Sequence, residues 1–521
     1  MLLSIVFYIL CFSILLSVLA GNFSRAENSS KYKNIFLLIP VLMVIFYYFF
    51  LSNNFYHGET FFPGKNPYYY HVGNLYNMLI DSFKNGRLYI DVGNELLCEL
   101  FQDKDFCRNY IYYLDAGQTG DYQDQYVSYC LSVLWDMSFY NGKIFLYFGI
   151  TPVLLFYLPF HFLTGLYLTD KFLVFVLSSL IFVISLFLSR QQVYAVGNRQ
   201  PATVLSIFLI GVCNLSPFLV IRSATYEVAI VTAFFLLLTS CLLFYMYIDK
   251  KYFSYNNIIL FFMALFLSLA VGARPHYVLF IPLFFCAVLL VNKNKDKKFI
   301  LKQTIIFLIP CLFYGAVIAL YNYLRFDSIF NFGFKYQLNG LNIYEYTPHI
   351  KHLLTGLKNN LFLFPQTDFT TVFSLAQTSG HRLSNEAVTG IIWMCPIILL
   401  LVFLPMYLKK LYKENRNFFI FISLLTCIIL INIIVTGFFG MVMRYLFEYL
   451  ALMVILSVIV FNFLYNEVKS VFVKHLLTVF FVLITCYSLY ANTALLLSEK
   501  NSVFYALVSG FNYLKITGFL F

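Results

Sequence analysis

Runs of about twenty apolar residues recur through almost the whole chain and constrain its fold more than any motif. A bilayer core takes roughly 20 apolar residues per helix. Backbone groups in lipid must satisfy one another, which favours helices. We therefore predict an all-α polytopic integral membrane protein with about 12–13 transmembrane helices. The predicted crossings lie near residues 2–20, 35–52, 144–165, 171–189, 201–221, 227–248, 256–273, 276–292, 300–323, 387–408, 417–437, 444–464 and 474–496.

The composition excludes the common soluble classes. Hydrophobic residues make up 61% of the 521 positions and charged residues only 11%, so a soluble core would not hide the apolar surface. The sequence also lacks a phosphate-binding P-loop, a GxGxxG turn, an HExxH helix and a GxSxG elbow. The net charge of +11 comes from short basic connections, which does not indicate nucleic-acid binding.

The first apolar run and the cysteines carry weaker signals. The run 2–20 begins without a basic residue, so we expect an uncleaved membrane helix rather than a signal peptide. Most of the 11 cysteines lie in apolar runs without a CxxC pair or zinc-ligand spacing. Cys98, Cys107 and Cys130 lie in a polar stretch, where one disulfide of undetermined pairing is open in an oxidising compartment.

The longest polar stretch runs from Asn53 to Lys143 and is acidic, with 11 acidic residues against 6 basic ones. Basic residues instead concentrate in short connections, including those around residues 250, 293–302 and 409–416. By the positive-inside rule those connections are cytoplasmic, which makes the loops 53–143 and 324–386 external. Counting thirteen crossings breaks this alternation once between residues 144 and 248. We expect the miscounted helix to be 201–221, where prolines and Asn214 break the run into two pieces lining a polar cavity.

A short helix is predicted inside the acidic loop. Apolar residues from Val72 to Phe83 recur at helical spacing, with Asn74, Asn77 and Asp81 on the other face. This pattern is typical of a helix lying on the membrane surface, and Asn85-Gly86 ends it.

The residue types needed for chemistry on a lipid-linked substrate meet in and around this loop. Such a reaction needs a carboxylate as general base and cations for a phosphate, close to the membrane surface. The candidate bases are Glu59 and Asp136. The candidate phosphate partners are Lys143, Arg222, Arg274, His276 and Arg444.

Five phrases of the sequence, taken in order, resemble the GT-C superfamily of multispanning membrane glycosyltransferases, and particularly its bacterial, mannosyltransferase-like members. None of the phrases is specific alone, and together they span most of residues 55 to 450. They are Leu79–Tyr89, Asp136–Pro152, Tyr226-Glu227 after Arg222, Gly272–Pro275, and Tyr321–Phe326 with Phe332–Tyr336.

The resemblance implies inverting transfer of a hexosyl or pentosyl group from a polyprenyl-phosphate sugar, with a catalytic carboxylate in the first large external loop. Superfamily members often carry paired acidic residues there, whereas this chain has only Glu59 before Asn66-Pro67. Glu59 is thus the positional match and Asp136 the second candidate. On this interpretation Arg274 and Lys143 hold the phosphate, with Arg222, Glu227 and His276 nearby, and Trp135 and Tyr140 line the sugar.

The resemblance also implies a location and partners. The chain would be a multi-pass protein of the bacterial cytoplasmic (inner) membrane, with a glycan, lipid or protein acceptor and no nucleic acid. We expect no cofactor, and the sequence leaves a divalent metal open. The expected divisions are an additional N-terminal helix and basic connection at 1–34, a catalytic-type module at 35–323, a second external loop at 324–386 and C-terminal helices at 387–521.

The sequence also leaves open purely structural roles for the candidate residues, and a different function. Glu59 and Asp136 are also typical of solvated loop acids, and Arg222 with Glu227 of an interfacial ion pair. Arg444 and Glu448, four residues apart, are placed to satisfy only each other. His349 and His352 have metal-ligand spacing without a third ligand. A polytopic transporter or lipid flippase without glycosyl transfer is the alternative function.

Accessibility labelling tests the predicted sidedness. With Cys98, Cys107 and Cys130 replaced by Ser, we expect Gln118→Cys to react with a membrane-impermeant maleimide added outside the cell. We expect Asn294→Cys to react only after the membrane is opened, because it lies in a basic connection. Labelling in the opposite sense would place the acidic loop on the cytosolic face.

Overall fold

The computed structural model describes residues 30–54, 62–64, 75–90, 137–141, 143–195, 200–249, 255–337, 350–364, 366–368, 371–374, 388–438 and 442–498. The predicted run 2–20, the loop cysteines and His349 lie outside the described residues. The same holds for Glu59, Trp135 and Asp136.

The architecture is all-α, as predicted, with two small hairpins added. The first half contains α1 (Ser30–Asn54), α2 (Leu75–Lys84), β1 (Met137–Tyr140), β2 (Lys143–Leu146), a π-helical turn (Val153–Tyr157) that continues as α3 (Leu158–Thr164), α4 (Asp170–Ala195), α5 (Gln200–Val212), α6 (Ser216–Arg222), α7 (Thr225–Ile248) and α8 (Asn256–Val271).

The second half begins with a 3₁₀ turn. In order it contains that turn (Pro275–Leu279), α9 (Phe280–Asn292), α10 (Lys297–Phe326), a 3₁₀ turn (Phe334–Tyr336), α11 (Ile350–Phe362), β3 (Gln366–Asp368), β4 (Thr371–Ser374), α12 (Ile391–Met394), a 3₁₀ segment (Pro396–Phe403), α13 (Leu404–Glu414), α14 (Arg416–Phe438), α15 (Met443–Glu467) and α16 (Val471–Ser498). Both hairpins are antiparallel, β1 with β2 and β3 with β4.

The chain is a multi-pass membrane protein. Within the described ranges, eight helical segments are long and apolar enough to cross a bilayer. The apolar part of α1 (Leu38–Asn53) and α8 are shorter, and we count them as passes because the charged connections on either side of them alternate. The broken run 391–414 makes one more pass, which brings the described passes to eleven. α7 and α15 form the buried centre, while α10 and α16 turn many large apolar side chains outward, as lipid-facing helices do.

Polar contacts identify the two ends of the bundle. At the basic end, Asn292 Nδ2 donates to the Tyr247 hydroxyl at 2.7 Å and Tyr247 donates to Gln303 Oε1 at 3.0 Å. These bonds join the end of α7, the end of α9 and the start of α10, next to the lysine-rich connection 293–298. At the other end, called here the arginine end, the junctions 222–225 and 271–275 and the start of α15 at Met443 come together, as the contacts below establish.

The predicted crossing at 144–165 is wrong, because this run begins and finishes at the arginine end. Its first residues form β2, in which Ile144 O accepts from Ile90 N at 2.8 Å. Thr151 Oγ1 then donates to Leu269 O at 2.8 Å, near the end of α8. Tyr157 hydrogen-bonds to Asp170, the first residue of α4. The run therefore folds back. When it is not counted as a crossing, the charged connections again alternate between the two sides of the membrane.

The run 201–221 is thus a true pass, although the predicted break in it is confirmed. α5 ends at Val212 and α6 begins at Ser216, and between them Leu215 has a φ of 65°. Asn214 Oδ1 accepts from Ser216 N at 2.9 Å, which satisfies a backbone group that the break frees. The pieces are buried among protein atoms rather than lining an open cavity.

The pass predicted at 387–408 is shifted and broken. Asn492 Nδ2, near the arginine end of α16, donates to Met394 O at 3.5 Å, whereas Lys410 contacts Glu467 at the basic end. The pass therefore runs from about residue 391 to residue 414. Pro396 and Pro405 lie at the first turns of its second and third pieces, where a missing backbone N–H is tolerated.

The helix predicted in the acidic loop is confirmed as α2. Leu75, Tyr76, Leu79 and Ile80 are buried, and Gly86, with a φ of 67°, follows its last turn. Asn77, which the sequence placed on the polar face, is buried against protein instead. Its Nδ2 donates to Leu168 O at 2.8 Å. α2 therefore packs against protein on more than its apolar face.

Sidedness labelling also tests the returning run. We expect Asn141→Cys and Thr164→Cys, on either side of it, to react from the same side of the membrane as Gln118→Cys. Both residues belong to the arginine end in this fold. If residues 144–165 crossed the bilayer, Thr164→Cys would label from the opposite side.

Candidate functional site

Three helix junctions bring charged side chains together at the arginine end. The short helix α6 ends at Arg222, and Ser223, with a φ of 35°, turns the chain into α7. α8 ends at Val271, and Arg274 is extended ahead of Pro275, which begins the 3₁₀ turn. α15 begins at Met443. The charged residues of these junctions, called here the arginine cluster, are Arg222, Glu227, Arg274, His276, Arg444 and Glu448.

Glu227 joins the first and third junctions. Its Oε1 lies 3.1 Å from Arg222 Nε and 3.9 Å from Arg444 Nη1. Its Oε2 accepts from Ala224 N at 3.2 Å, which caps the start of α7. A carboxylate at a helix N-terminus is favoured by the helix dipole as well as by the cations. Glu227 therefore fixes both arginines relative to α7.

Glu448 joins the second and third junctions. Its Oε1 lies 3.4 Å from Arg274 Nε and accepts from the Tyr277 hydroxyl at 2.9 Å. Its Oε2 lies 3.4 Å from His276 Nε2. The interpretation in which Arg444 and Glu448 satisfy only each other is therefore wrong, because each contacts charged groups on other elements.

The carboxylates are buried behind the cations. The side chains of Glu227 and Glu448 are 1% and 0% exposed, whereas those of Arg222 and Arg274 are 17% and 18% exposed. With three arginines against two glutamates, the cluster has a net positive charge even when His276 is neutral. The exposed edge of the cluster is thus cationic, which suits an anionic group with several acceptor oxygens.

Aromatic rings support two of the guanidinium groups. The Arg444 guanidinium carbon lies 4.3 Å from the centroid of the Tyr226 ring, and that of Arg274 lies 4.7 Å from the Tyr445 ring. Cation–π contacts of this kind orient a planar guanidinium by its face.

Two of the predicted site residues lie on the first hairpin rather than in the arginine cluster. Lys143 is exposed, and its ammonium lies 5.1 Å from the centroid of the Tyr89 ring. The Tyr140 hydroxyl donates to Asp327 Oδ2 at 3.1 Å, and this hydrogen bond raises the pKa of Tyr140. The Tyr140 ring also lies 4.6 Å from that of Tyr336. Asp136, the second candidate base, immediately precedes β1 in the sequence and lies outside the described residues, as do Glu59 and Trp135.

The structure adds groups that sequence reasoning missed. Tyr277 was not a candidate, yet its hydroxyl donates to Glu448. Asp170 is fully buried and accepts from Tyr157 and from Thr225 Oγ1, the latter at 3.2 Å. Its signal was present, because a carboxylate at the start of an apolar run is costly to bury without partners.

No metal centre is visible in the part of the chain that the structure describes, where no group of three or more His, Cys, Asp or Glu side chains is placed to hold an ion. His352 lies on α11.

Comparisons with known proteins add little. No family model matches the chain, and no curated protein matches it in sequence. One solved structure that it resembles is the archaeal oligosaccharyltransferase AglB from Archaeoglobus fulgidus in complex with an inhibitory peptide and a dolichol-phosphate. The TM-score is 0.47 and the identity 12%, over 89% of this chain and 56% of that one, so this chain spans about half of its length. A likeness of that size carries no functional inference.

Neutralising Glu448 tests the electrostatic design of the cluster. Glu448→Gln leaves the mostly buried Arg274 guanidinium without its carboxylate, so we expect a loss of about 3 kcal/mol in stability. The expected readout is a clearly lower melting temperature in detergent. Glu467→Gln, which removes an exposed partner of Lys410, is the matched control and should cost at most about 1 kcal/mol. Equal melting temperatures for the two variants would contradict this account.

Proposed function

We propose that the protein is a membrane glycosyltransferase that moves a sugar from a polyprenyl-phosphate donor to a glycan, lipid or protein acceptor. The reaction would take place on the external face of the bacterial cytoplasmic membrane. The arginine cluster carries this proposal, because its partly exposed cations lie at the end of the bundle opposite the lysine-rich connections. The sequence resemblance to the GT-C superfamily supports the same reaction class.

The proposed role of the cluster is to bind the phosphate of the donor. A guanidinium group can donate two parallel hydrogen bonds to two oxygens of one phosphate. It is also less strongly hydrated than an ammonium group, so it loses less hydration on binding. Glu227 and Glu448 hold the arginines in place before the ligand arrives. Such preorganisation lowers the cost of ordering side chains on binding.

The lipid tail of the donor would lie beside the same turn. Within the 3₁₀ turn that follows Arg274, Tyr277 is buried, whereas Val278 and Leu279 are 50% and 44% exposed. These apolar side chains face outward from the bundle, as lipid-contacting residues do. A polyprenyl chain in the bilayer would therefore reach the arginines without leaving the apolar phase.

In the proposed reaction the acceptor hydroxyl attacks the anomeric carbon of the sugar. The new carbon–oxygen bond forms as the bond to the phosphate oxygen breaks, and the configuration at the anomeric carbon inverts. The acceptor proton passes to a carboxylate, for which Glu59 and then Asp136 are the candidates from the sequence. Arg274 and its neighbours would stabilise the negative charge that develops on the departing polyprenyl phosphate. Lys143, Tyr140 and Trp135 stay candidate substrate contacts, and the proposal includes no cofactor.

A transporter or lipid flippase is the second candidate function. The observation that favours it is the pair of broken passes, 200–222 and 391–414, since transporters often place binding sites at interrupted helices. Flux of polyprenyl-phosphate sugar across proteoliposomes without any glycosylated product would support this alternative.

Substitution of Arg274 tests the proposed function. In membranes supplied with radiolabelled polyprenyl-phosphate hexoses and pentoses, we expect Arg274→Gln to lower transfer by about 10²–10³-fold, because one cation at the developing charge is lost. Arg274→Lys keeps the positive charge that Glu448 requires but cannot donate two parallel hydrogen bonds. Its rate of transfer should lie between those of the wild type and Arg274→Gln. Lys410→Gln, at the basic end, is the control and should be fully active.

The candidate bases are tested in the same assay. Glu59→Gln or Asp136→Asn should abolish turnover while leaving donor binding in place, since each removes only the group that accepts the proton. Normal turnover in both variants would reject the assignment of the base. A folded Arg274→Gln protein with unchanged transfer would reject the role of the cluster.

A further inference from the structure

Two tyrosine hydroxyls at the arginine end, on elements that flank the returning run 144–165, are buried without hydrogen-bond partners among the described residues. They belong to Tyr76 on α2 and Tyr321 on α10, which are 0% and 6% exposed. A buried hydroxyl without a partner costs about 1–3 kcal/mol. Native proteins keep few such groups, and those they keep often have a ligand or an ordered water as partner.

The position of Tyr321 follows from its neighbours on the same face of α10. The Tyr314 hydroxyl lies 2.7 Å from Thr151 Oγ1, and Arg325 Nη1 donates to Leu146 O at 2.8 Å. Tyr321 is between them at positions seven and four residues away, so it shares their face. It therefore faces the segment 147–150. The Arg325 guanidinium covers the Tyr321 ring at 3.8 Å.

Tyr76 reaches the same segment from the opposite element. Its ring centroid lies 6.4 Å from that of Phe148 and 5.2 Å from that of Tyr157. Phe148 also packs edge-on against Tyr226 at 4.6 Å, the ring beneath Arg444. Two aromatic rings, those of Phe148 and Tyr226, thus lie between Tyr76 and Arg444.

Electrostatics agree with this placement. Burial raises the pKa of Tyr76, the nearby Asp170 and Tyr321 raise it further, and Arg274 opposes them. Tyr76 and Tyr321 thus border the same segment, Tyr76 through its contact with Phe148 and Tyr321 through the face of α10 that it shares with Tyr314 and Arg325. The place where α2, α10 and the segment 147–150 meet is called here the tyrosine recess.

We propose that the tyrosine recess receives the sugar ring of the lipid-linked donor, with Tyr76 and Tyr321 hydrogen-bonding to its hydroxyl groups. The inference rests on the proposed function, since it assumes that the arginine cluster holds the donor phosphate. The sugar is bonded directly to that phosphate and must lie beside the cations. A phenol hydroxyl both donates and accepts, as sugar hydroxyls do, and the rings offer apolar faces for the sugar C–H groups.

The recess is closed in this conformation, so binding requires a local rearrangement. Phe148 is the ring between Tyr76 and Tyr226, so a sugar would have to displace it to reach both hydroxyls. Two hydroxyls that gain partners only when the sugar is present favour a donor that carries a sugar over bare polyprenyl phosphate.

Phenylalanine substitutions test the recess directly. For purified protein in nanodiscs, binding of bare polyprenyl phosphate is compared with that of polyprenyl phosphate carrying mannose, glucose or arabinose. We expect Tyr76→Phe and Tyr321→Phe each to weaken the tightest sugar-bearing lipid by about tenfold, the effect of one lost hydrogen bond. Affinity for bare polyprenyl phosphate should not change. The matched control is Tyr407→Phe, which removes a buried, unpartnered hydroxyl near the basic end.

The melting temperature separates a ligand site from a structural one. Removal of an unpaired buried hydroxyl should leave the melting temperature equal or higher. A lower melting temperature with unchanged sugar-lipid affinity means that the hydroxyls hold a buried water only, which overturns the inference. If the wild type binds bare and sugar-bearing lipids equally, the tyrosine recess does not bind the sugar and the inference fails. The proposed phosphate site is not contradicted by that result. If the wild type binds neither lipid, the proposed function itself fails.

Discussion

The burial of Glu227 and Glu448 is the constraint on which the arginine end depends. A carboxylate enclosed in an apolar bundle is strongly unfavourable unless cations and hydrogen-bond donors surround it. Each glutamate draws its partners from a different helix junction, so the two together tie α6, the turn after α8 and the start of α15. The same pairing leaves an excess of guanidinium charge at the exposed edge of the cluster. The burial of the two glutamates therefore both joins the helix junctions and positions the cations proposed to bind phosphate.

The run from Lys143 to Thr164 has a comparable role in shaping this end. It does not cross the bilayer, and it lays β2, Phe148 and the π-helical turn against α2, α8 and α4. Gly149 permits this approach, because a Cβ there would lie 1.9 Å from Gly272 O, two residues before Arg274. The returning run thus forms one wall of both the arginine cluster and the tyrosine recess, and it brings the first hairpin beside Asp327 and Tyr336.

Charges elsewhere in the bundle are arranged differently. At the basic end, neutral amides and Tyr247 lock helix ends together, while Lys410 and Glu467 form a pair near the surface. Exposed pairs contribute little, because water screens them. The buried ionic network described here is thus concentrated at the end opposite the lysine-rich connections. This asymmetry connects the predicted topology with the location of the proposed chemistry.

The sequence by itself determined the membrane class, most of the helices, the break near Asn214 and the charged residues worth attention. Apolar length and the cost of burying charge depend on local composition, which the sequence displays. Only the tertiary structure decided that 144–165 turns back, that Glu448 pairs with Arg274, and that Tyr76 and Tyr321 face one segment. Those outcomes depend on contacts between residues far apart in the chain, and a hydropathy pattern contains no information about where the two ends of a run are held.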